Sequence, residues 1–305
     1  MVIFRNLAEI QDIEKTAVAL GNFDGIHKGH QVLIKKAVKT AEEKGIKSAV
    51  FTFSNHPRNV IAGNSVVRNI IYEDEKIEIL EEMGVDYLFS ISFEEIMKLS
   101  PQDFVDKVLI ERFRIDTAVC GFNFTYGYKA AGTADMLRGM AAGRFYVAVV
   151  DPVKVNGQVV SSTLIREKIM NGDVEAVPEL LGRNFTIRGT VIHGNEIGRT
   201  IGFPTCNIVI DESMAALPNG VYMTYCYVEG VKYCSITNVG NKPTIGEYGK
   251  NIETNIFNFN ENIYDKKITV EFLKKIRDEQ KFDDLEALKK QIHDDSVLVR
   301  KEHGL

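Results

Sequence analysis

Strand-like runs and helix-like stretches alternate from Thr16 to Val150, and this order constrains the fold more than any other feature. The predicted strands are Thr16–Leu20, Lys47–Phe53, Tyr87–Ile91, Thr117–Cys120 and Phe145–Val150. The predicted helices between them are Lys28–Lys44, Asp74–Met83, Pro101–Phe113 and Asp135–Ala142. Such alternation favours a parallel sheet with helices on both faces, and ligands of these sheets bind at the carboxyl ends of the strands. We therefore predict an α/β domain.

The pattern changes after Leu181, where Pro178, Gly182 and Asn184 indicate a short connection. Beyond it, short runs rich in β-branched and aromatic residues are separated by turn residues. The predicted strands are Phe185–His193, Val221–Val228, Val231–Val239, Ile252–Phe257 and Ile268–Leu273, and a helix is predicted at Asp284–Lys301. A length of 305 residues exceeds what one core usually serves. We predict two domains, residues 1–183 and 184–305, the second a β-barrel with one C-terminal helix.

Composition excludes several classes of protein. Hydrophobic residues make up 45% and charged residues 26% of the chain, as in ordinary globular proteins. The formal net charge of -5 argues against a nucleic-acid partner. The four cysteines form no CxxC pair, which argues against a zinc site. No signal-like start and no apolar run of membrane-spanning length is present, so we expect a cytoplasmic enzyme without a membrane partner. The oligomeric state is not predicted.

The segment Gly21–His30, GNFDGIHKGH, joins the first predicted strand to the first predicted helix. Its glycines give a ligand room to approach the backbone, and the helix start offers N–H groups and a positive dipole end to a phosphate. His27 and His30 lie three residues apart, so both imidazoles can face the phosphate and donate hydrogen bonds. The alternative is a tight turn capped by Asp24 with two solvent-facing histidines. The combination of residues favours a nucleotide phosphate site.

A second helix start, Ser161–Ile169, reads SSTLIREKI. Its hydroxyl residues are good N-cap candidates, and Arg166 adds a cation near the positive end of the helix dipole. A bound anion would compensate for that placement. The alternative is an exposed arginine on a serine-capped helix.

A third segment, Gly194–Asn207, reads GNEIGRTIGFPTCN at the start of the predicted barrel. Its glycines can wrap nucleotide phosphates with backbone N–H groups, and a threonine hydroxyl can ligate Mg²⁺ that bridges them. No GK[ST] is present, so the segment is not a P-loop. The alternative is a loop in which Gly198 and Gly202 form turns and Arg199 is solvated.

Two of these segments resemble known signatures. GNFDGIHKGHQVLI is similar to the HxGH region of nucleotidyltransferases, and more closely to the N-terminal module of prokaryotic bifunctional riboflavin kinase/FAD synthetases. GRTIGFPTCN resembles the riboflavin kinase signature, with Cys206 where alanine is usual. NVGNKPTIG (Asn238–Gly246) and RDEQKF (Arg277–Phe282) follow in the family's order. The resemblance implies a Rossmann-like nucleotidyltransferase domain followed by a riboflavin-kinase-like barrel.

The resemblance also implies two ATP-dependent reactions, from riboflavin to FMN in the C-terminal domain and from FMN to FAD in the N-terminal domain. The catalytic residues it implies are His27, His30 and Arg166 for the adenylyl transfer and Glu253 for the kinase. The residues it implies for ATP are Gly21, Phe23, Asp24, Gly25, Gly29, Ser162 and Thr163 in the first domain, and Gly194, Gly198, Arg199 and Gly202 in the second. The flavin would contact Asn123, Phe203 and Arg277, and Mg²⁺ would bind Thr205 and Asn207.

Two weaker segments match stretches that line the pocket in the family, Phe51–Pro57 and Gly121–Gly127. Taken alone, they predict only a strand-end His56 bonded to the backbone, and Phe122 and Phe124 in the core. The chain departs from the family at Asn55, which replaces a proline, and at Asn255, which replaces a histidine. Two rival functions are another nucleotidyltransferase, which would lack the Gly194–Asn207 motif, and a flavin-binding regulator without catalysis.

Overall fold

The computed structural model describes residues 1–193, 202–241 and 250–305. These residues form two compact units, Met1–Ser162 and Thr163–Leu305. The two units divide after Ser162, whereas the predicted domain boundary follows residue 183. The predicted boundary stays a prediction.

The first unit contains all five predicted strands and five further short ones that were not predicted. In chain order they are β1 (Val2–Phe4), β2 (Thr16–Leu20), β3 (Lys47–Phe53), β4 (Tyr87–Ile91), β5 (Ile115–Gly121), β6 (Thr125–Tyr126), β7 (Gly132–Thr133), β8 (Tyr146–Val150), β9 (Lys154–Val155) and β10 (Gln158–Val159). The predicted ones are β2, β3, β4, β5 and β8. The helices are α1 (Lys28–Lys44), α2 (Pro57–Ala62), α3 (Glu73–Glu82), α4 (Phe93–Ile96), α5 (Pro101–Asp103) and α6 (Ala134–Ala141), and α7 (Ser162–Met170) begins at the last residue of the unit. A π-helical segment, Phe104–Ile110, continues α5, so the helix predicted there changes its geometry.

Six of these strands form one parallel sheet in the order β1-β4-β3-β2-β5-β8. Alternate residues of the strands enter two separate cores, one containing Ala19, Val50 and helix α1, the other containing Phe51 and the π-helical segment. Because helices cover both faces, the predicted α/β domain is confirmed.

The strand order reverses between β2 and β5, which are neighbours in the sheet. Leu20 at the end of β2 pairs with Cys120 near the end of β5. The loops that follow these strands therefore leave the same edge of the sheet side by side. In open parallel sheets the crevice at this reversal is where ligands bind.

The second unit contains one six-stranded antiparallel sheet in the order β11-β16-β13-β14-β15-β12. Its strands are β11 (Phe185–Thr190), β12 (Cys206–Val209), β13 (Gly220–Val228), β14 (Val231–Asn241), β15 (Lys250–Ile256) and β16 (Lys267–Asp278). The helices are α8 (Val177–Leu181) and the C-terminal helix (Leu285–His303), with the larger part of α7. The Ile192 amide donates to the Asn207 carbonyl at 2.8 Å, which links the two outer strands and closes the barrel.

The interior of the barrel contains hydroxyl groups as well as apolar side chains. Thr224 Oγ1 lies 2.8 Å from both Ser235 Oγ and Thr237 Oγ1, and Thr237 Oγ1 lies 2.9 Å from Thr254 Oγ1. Each buried hydroxyl thus has a partner, as burial requires. The predicted β-barrel with a C-terminal helix is confirmed. Strand β12 was missed, because its first two residues belong to the motif Gly194–Asn207, which was interpreted as a loop.

Candidate functional site

The loop after β2 has an unusual backbone. Phe23, Gly25 and Ile26 have φ angles of 46°, 81° and 39°, all in the left-handed region. For a residue other than glycine this conformation costs about 1–3 kcal/mol, and burial of the Phe23 and Ile26 side chains in the core offsets that cost. Backbones of this kind form concave groups of N–H donors that bind anions.

Asp24 fastens this loop to two other segments. Its side chain is 3% exposed and its Oδ1 accepts a hydrogen bond from the Ile70 amide at 2.9 Å. Its carbonyl oxygen accepts a hydrogen bond from Ser162 Oγ at 2.9 Å. The alternative interpretation, in which Asp24 caps the helix, is wrong because the N-cap of α1 is His27.

His27 and His30 pack against each other rather than facing solvent. The His30 amide donates to Nδ1 of His27 at 3.3 Å, so in neutral His27 the proton is on Nε2. The two rings stack with centroids 3.6 Å apart and planes at 18°. Gly29 makes room for this arrangement, because a Cβ there would lie 3.0 Å from the His27 ring.

Burial keeps both imidazoles neutral. It lowers the pKa of His27 from 6.5 to about 4. The pKa of His30 is also well below its usual range, first because of burial and then because of the nearby His27 and Lys76. At neutral pH the pair can therefore donate hydrogen bonds without carrying charge.

Lys76 supplies a cation that the sequence analysis missed. It lines a cavity of about 60 Å³ with Asp24, Asn55, His56 and Glu73. Burial lowers the pKa of Lys76, against the opposite effect of the Asp24 and Glu73 carboxylates. In the sequence EDEKIEILEE this lysine is indistinguishable from a solvated charge, so only the packing of α3 reveals it.

The weaker predicted segments lie at the same edge of the sheet. His56 caps α2 by accepting from the Arg58 amide at 3.2 Å, which confirms the prediction made from the sequence alone. Asn123 is exposed in the turn after β5. Phe122 is 51% exposed, so its prediction as a core residue is wrong, whereas Phe124 packs against the core. An exposed aromatic side chain beside the ligand crevice suits a flat ligand.

In the second unit, three polar side chains meet on one face of the barrel. Asn207 on β12 is the register partner of Glu253 on β15, and Asn251 precedes Glu253 by two residues. Asn251 Nδ2 lies 3.1 Å from Asn207 Oδ1 and 2.8 Å from Glu253 Oε1. Asn207 and Glu253 therefore lie on neighbouring strands, and Thr205 immediately precedes β12.

A cavity of about 310 Å³ lies beside this face. Phe203 and the C-terminal helix line it, together with the turn after β15. Asn255 also lines it and donates from Nδ2 to the Pro204 carbonyl at 2.6 Å. Cys206, the other departure from the family, is buried, and its Sγ lies 3.3 Å from the carbonyl oxygen of Thr254.

Arg277 is placed differently from the other residues predicted to contact flavin. It does not line the cavity, and its Nη2 lies 2.8 Å from Oδ2 of the buried Asp295 on the C-terminal helix. Its role in flavin binding stays a prediction.

Several predicted site residues lie in the second unit or outside the described residues. Thr163 and Arg166 lie on α7 within the second unit, where Thr163 is exposed and Arg166 is partly buried. Gly194, Gly198 and Arg199 lie outside the described residues, as does most of Asn238–Gly246. Within the described ranges, no group of three or more His, Cys, Asp or Glu could hold a metal ion.

Comparison with known proteins follows this division of the chain. The FAD synthetase family model matches residues 9–164, and the riboflavin kinase family model matches residues 181–302. The bifunctional riboflavin kinase/FMN adenylyltransferase of Bacillus subtilis is 39% identical over 92% of this chain and 90% of its own length. The chain belongs to this family. The family predicted from the motifs is thereby confirmed.

Other members and a solved structure agree over nearly the full length. The bifunctional enzyme of Listeria monocytogenes is 37% identical over 96% of this chain and 93% of its own. A crystal structure described as a macrolide-efflux protein from Streptococcus pneumoniae is 33% identical, covers 98% of both chains and has a TM-score of 0.89. In the part of the present chain that the structure describes, no helix is both long and apolar enough to cross a membrane.

Proposed function

We propose that this chain makes FAD from riboflavin in two ATP-dependent steps. In the second unit, the ribityl 5′-hydroxyl attacks the γ-phosphate of ATP, which gives FMN and ADP. In the first unit, the FMN phosphate attacks the α-phosphate of a second ATP, which gives FAD and releases pyrophosphate. The observation that carries the proposal is that the FAD synthetase and riboflavin kinase matches occupy separate residue ranges, each with its own cluster of polar groups.

For adenylyl transfer the first unit needs hydrogen-bond donors and positioning more than a base, because the attacking FMN phosphate is already an anion. The neutral imidazoles of His27 and His30 suit that task, since donors in a dry site stabilise charge that develops in the transition state. Lys76 adds positive charge beside them. We assign ATP contacts to the Gly21–His30 loop and Ser162, and we keep Thr163 and Arg166 as further predicted contacts.

For the kinase step we assign Glu253 as the group that orients the ribityl hydroxyl and accepts its proton. Thr205 and Asn207 would hold Mg²⁺, and the donor set fits, because hydroxyl and amide oxygens are ligands that this cation prefers. When bound, the cation neutralises charge on the ATP phosphates. The cavity beside Phe203 would take the isoalloxazine ring, with Arg277 as a further predicted flavin contact.

The proposal also covers the partners of the protein, its location and its domain boundary. The substrates are small molecules, and the net charge of -5 supports the absence of a nucleic-acid partner. We also propose a cytoplasmic location, where ATP is available, and a domain boundary between residues 183 and 184, near the start of the riboflavin kinase match.

Incubation with riboflavin, ATP and Mg²⁺, followed by chromatography, tests the function directly by detecting FMN and FAD. His30→Ala should lower FAD formation about 10²–10³-fold and leave FMN formation intact, because one transition-state donor is lost. An unchanged rate of FAD formation would remove His30 from the proposed site.

Glu253→Ala should have the opposite effect, with FMN formation strongly reduced and FAD formation from added FMN unchanged. The His30 variant serves as its matched control, because each substitution leaves the other unit untouched. If the Glu253 variant phosphorylates riboflavin at the original rate, the assignment of the base is wrong.

A further inference from the structure

Asn251 stands between the two groups that the proposed kinase reaction needs. Its amide nitrogen lies 2.8 Å from Glu253 Oε1 and 3.1 Å from Asn207 Oδ1. From this geometry we infer that Asn251 is a positioning residue, which orients the Asn207 amide and the Glu253 carboxylate together. The inference rests on the proposed kinase function and adds a residue to its site.

The orientation follows from the donor and acceptor capacities of the three side chains. The Glu253 carboxylate only accepts, so Asn251 must turn its NH₂ group, and not its carbonyl oxygen, toward it. That NH₂ group has two protons, and the second one points to Asn207. Asn207 must then present its oxygen and not its nitrogen. The carboxylate therefore fixes the amide of Asn207 through Asn251.

The strand geometry makes this arrangement rigid. Asn251 and Glu253 are two residues apart on β15, so their side chains leave the same face. Asn207 is directly opposite Glu253 on β12. Asn251 is 3% exposed and Asn207 is 7% exposed, so both side chains are buried. Side chains held in this way on neighbouring strands have little freedom to reorient.

Burial of Asn251 also leaves one of its polar atoms without a hydrogen bond to the described residues, which lowers the stability of the fold. Oδ1 of Asn251 is buried and has no hydrogen-bond partner within the described part of the chain. An unsatisfied buried acceptor costs about 1–3 kcal/mol. An apolar residue of the same size would avoid that cost, so the benefit of asparagine here comes from its two donors.

The consequence concerns the two oxygens that remain available. Asn207 Oδ1 has two lone pairs and gives one to Asn251, which leaves the other for a cation. Oε1 of Glu253 accepts from Asn251, which holds the carboxylate in one orientation, and we assign Oε2 to the ribityl hydroxyl. Without Asn251, the Asn207 amide can turn its nitrogen toward the cation and the carboxylate can rotate.

The primary test is Asn251→Leu, which keeps the size of the side chain and removes both donors. The matched control is Asn184→Leu, because Asn184 also donates to a glutamate, Oε1 of Glu271 at 2.6 Å, in the same unit. Loss of a residue that orients metal ligands typically lowers metal affinity or activity about 10–100-fold. We expect that loss in kcat of FMN formation for Asn251→Leu, and a change below about twofold for Asn184→Leu.

Binding measurements separate positioning from a loss of structure. The riboflavin Kd of Asn251→Leu, measured by flavin fluorescence, should stay within about threefold of the original, whereas calorimetry should show Mg²⁺·ADP binding about 10-fold weaker. A second variant, Asn251→Ser, covers the case in which leucine prevents folding. A hydroxyl has one proton and cannot donate to two oxygens at once, so the same loss in kcat is expected.

A double-mutant cycle tests whether Asn251 acts through Glu253. In a Glu253→Ala background, Asn251→Leu should lower the residual rate by less than about fivefold, because residues that act as a unit are not additive. Equal losses in both backgrounds would overturn the inference. An unchanged kcat of FMN formation in both Asn251→Leu and Asn251→Ser would also overturn it. If Glu253→Ala itself leaves FMN formation intact, the assignment of Glu253 as the base is wrong, which is a separate result.

Discussion

His27→Asn should make the chain more resistant to acid than the original protein. Asparagine is a good N-cap and can still accept the His30 amide, so the start of α1 keeps its hydrogen bond. The variant loses the imidazole of His27, which is a titratable group, and asparagine does not titrate. The prediction therefore isolates the effect of burying a neutral imidazole.

The magnitude follows from the shift in pKa from 6.5 to about 4. Below pH 6.5 the unfolded chain binds a proton that the folded His27 does not, so stability falls as the pH falls, and the fall ends near pH 4. Between pH 7 and pH 5 the loss through His27 is about 2 kcal/mol, and the full loss is about 3 kcal/mol. The pKa of His30 shifts in the same direction, and the variant keeps the largest cause of that shift, which is burial, but loses the smaller effect of the His27 charge.

The assay is urea unfolding of the full chain, followed by circular dichroism at pH 7 and at pH 5. The free energy of unfolding of His27→Asn relative to the original protein should rise by about 2 kcal/mol from the higher to the lower pH. Effects of titratable groups that do not interact with His27 cancel in this double difference, and the smaller contribution of the coupled His30 does not. A difference that does not change with pH would refute the reasoning, as would an NMR titration that places His27 near its ordinary pKa.

Three further predictions use the same chain. Gly25→Ala should lower FAD formation about 10-fold and leave FMN formation unchanged, as chromatography of both products would show. The φ angle of Gly25 is 81° and a Cβ there would lie 3.2 Å from the Ile70 side chain, so alanine would strain the loop by about 1–3 kcal/mol. Arg277→Met should destabilise the second unit by about 3–5 kcal/mol, because the carboxylate of Asp295 stays buried without the positive charge of Arg277. The double variant Arg277→Met/Asp295→Leu should recover part of the lost stability, as measured by urea unfolding. Lys76→Met should raise the pKa of His30, because a nearby positive charge is removed; histidine NMR reports the shift, and an unchanged pKa would separate Lys76 from the histidine pair.

Local sequence was sufficient for most of the secondary structure. Thr16–Leu20, Lys28–Lys44 and Tyr87–Ile91 have in the structure the bounds that were predicted for them. Their periodicity and their turn residues are properties of neighbouring positions, so no tertiary contact is needed to read them. Strand Cys206–Val209 was missed, because its start belongs to a glycine-containing motif that was interpreted as a loop, and only its pairing with β15 shows it to be a strand.

The candidate sites divide in a similar way. The motifs at Gly21–His30 and at Gly194–Asn207 identify residue types suited to phosphate and magnesium, and their family resemblance indicated riboflavin, FMN and ATP. Neither motif indicates that Lys76 lies near the histidines or that Asn251 lies between Asn207 and Glu253. Both residues are ordinary in their own sequence context.

The sequence by itself determined the order of the two modules, most of their longer strands and helices, and the residue types available to each reaction. Only the tertiary structure decided the protonation of His27 and the orientation of the Asn207 amide. A pKa depends on which side chains exclude water from the group, and the orientation of an amide depends on which donors and acceptors surround it. Those neighbours come from segments that are distant in the chain and are brought together by folding.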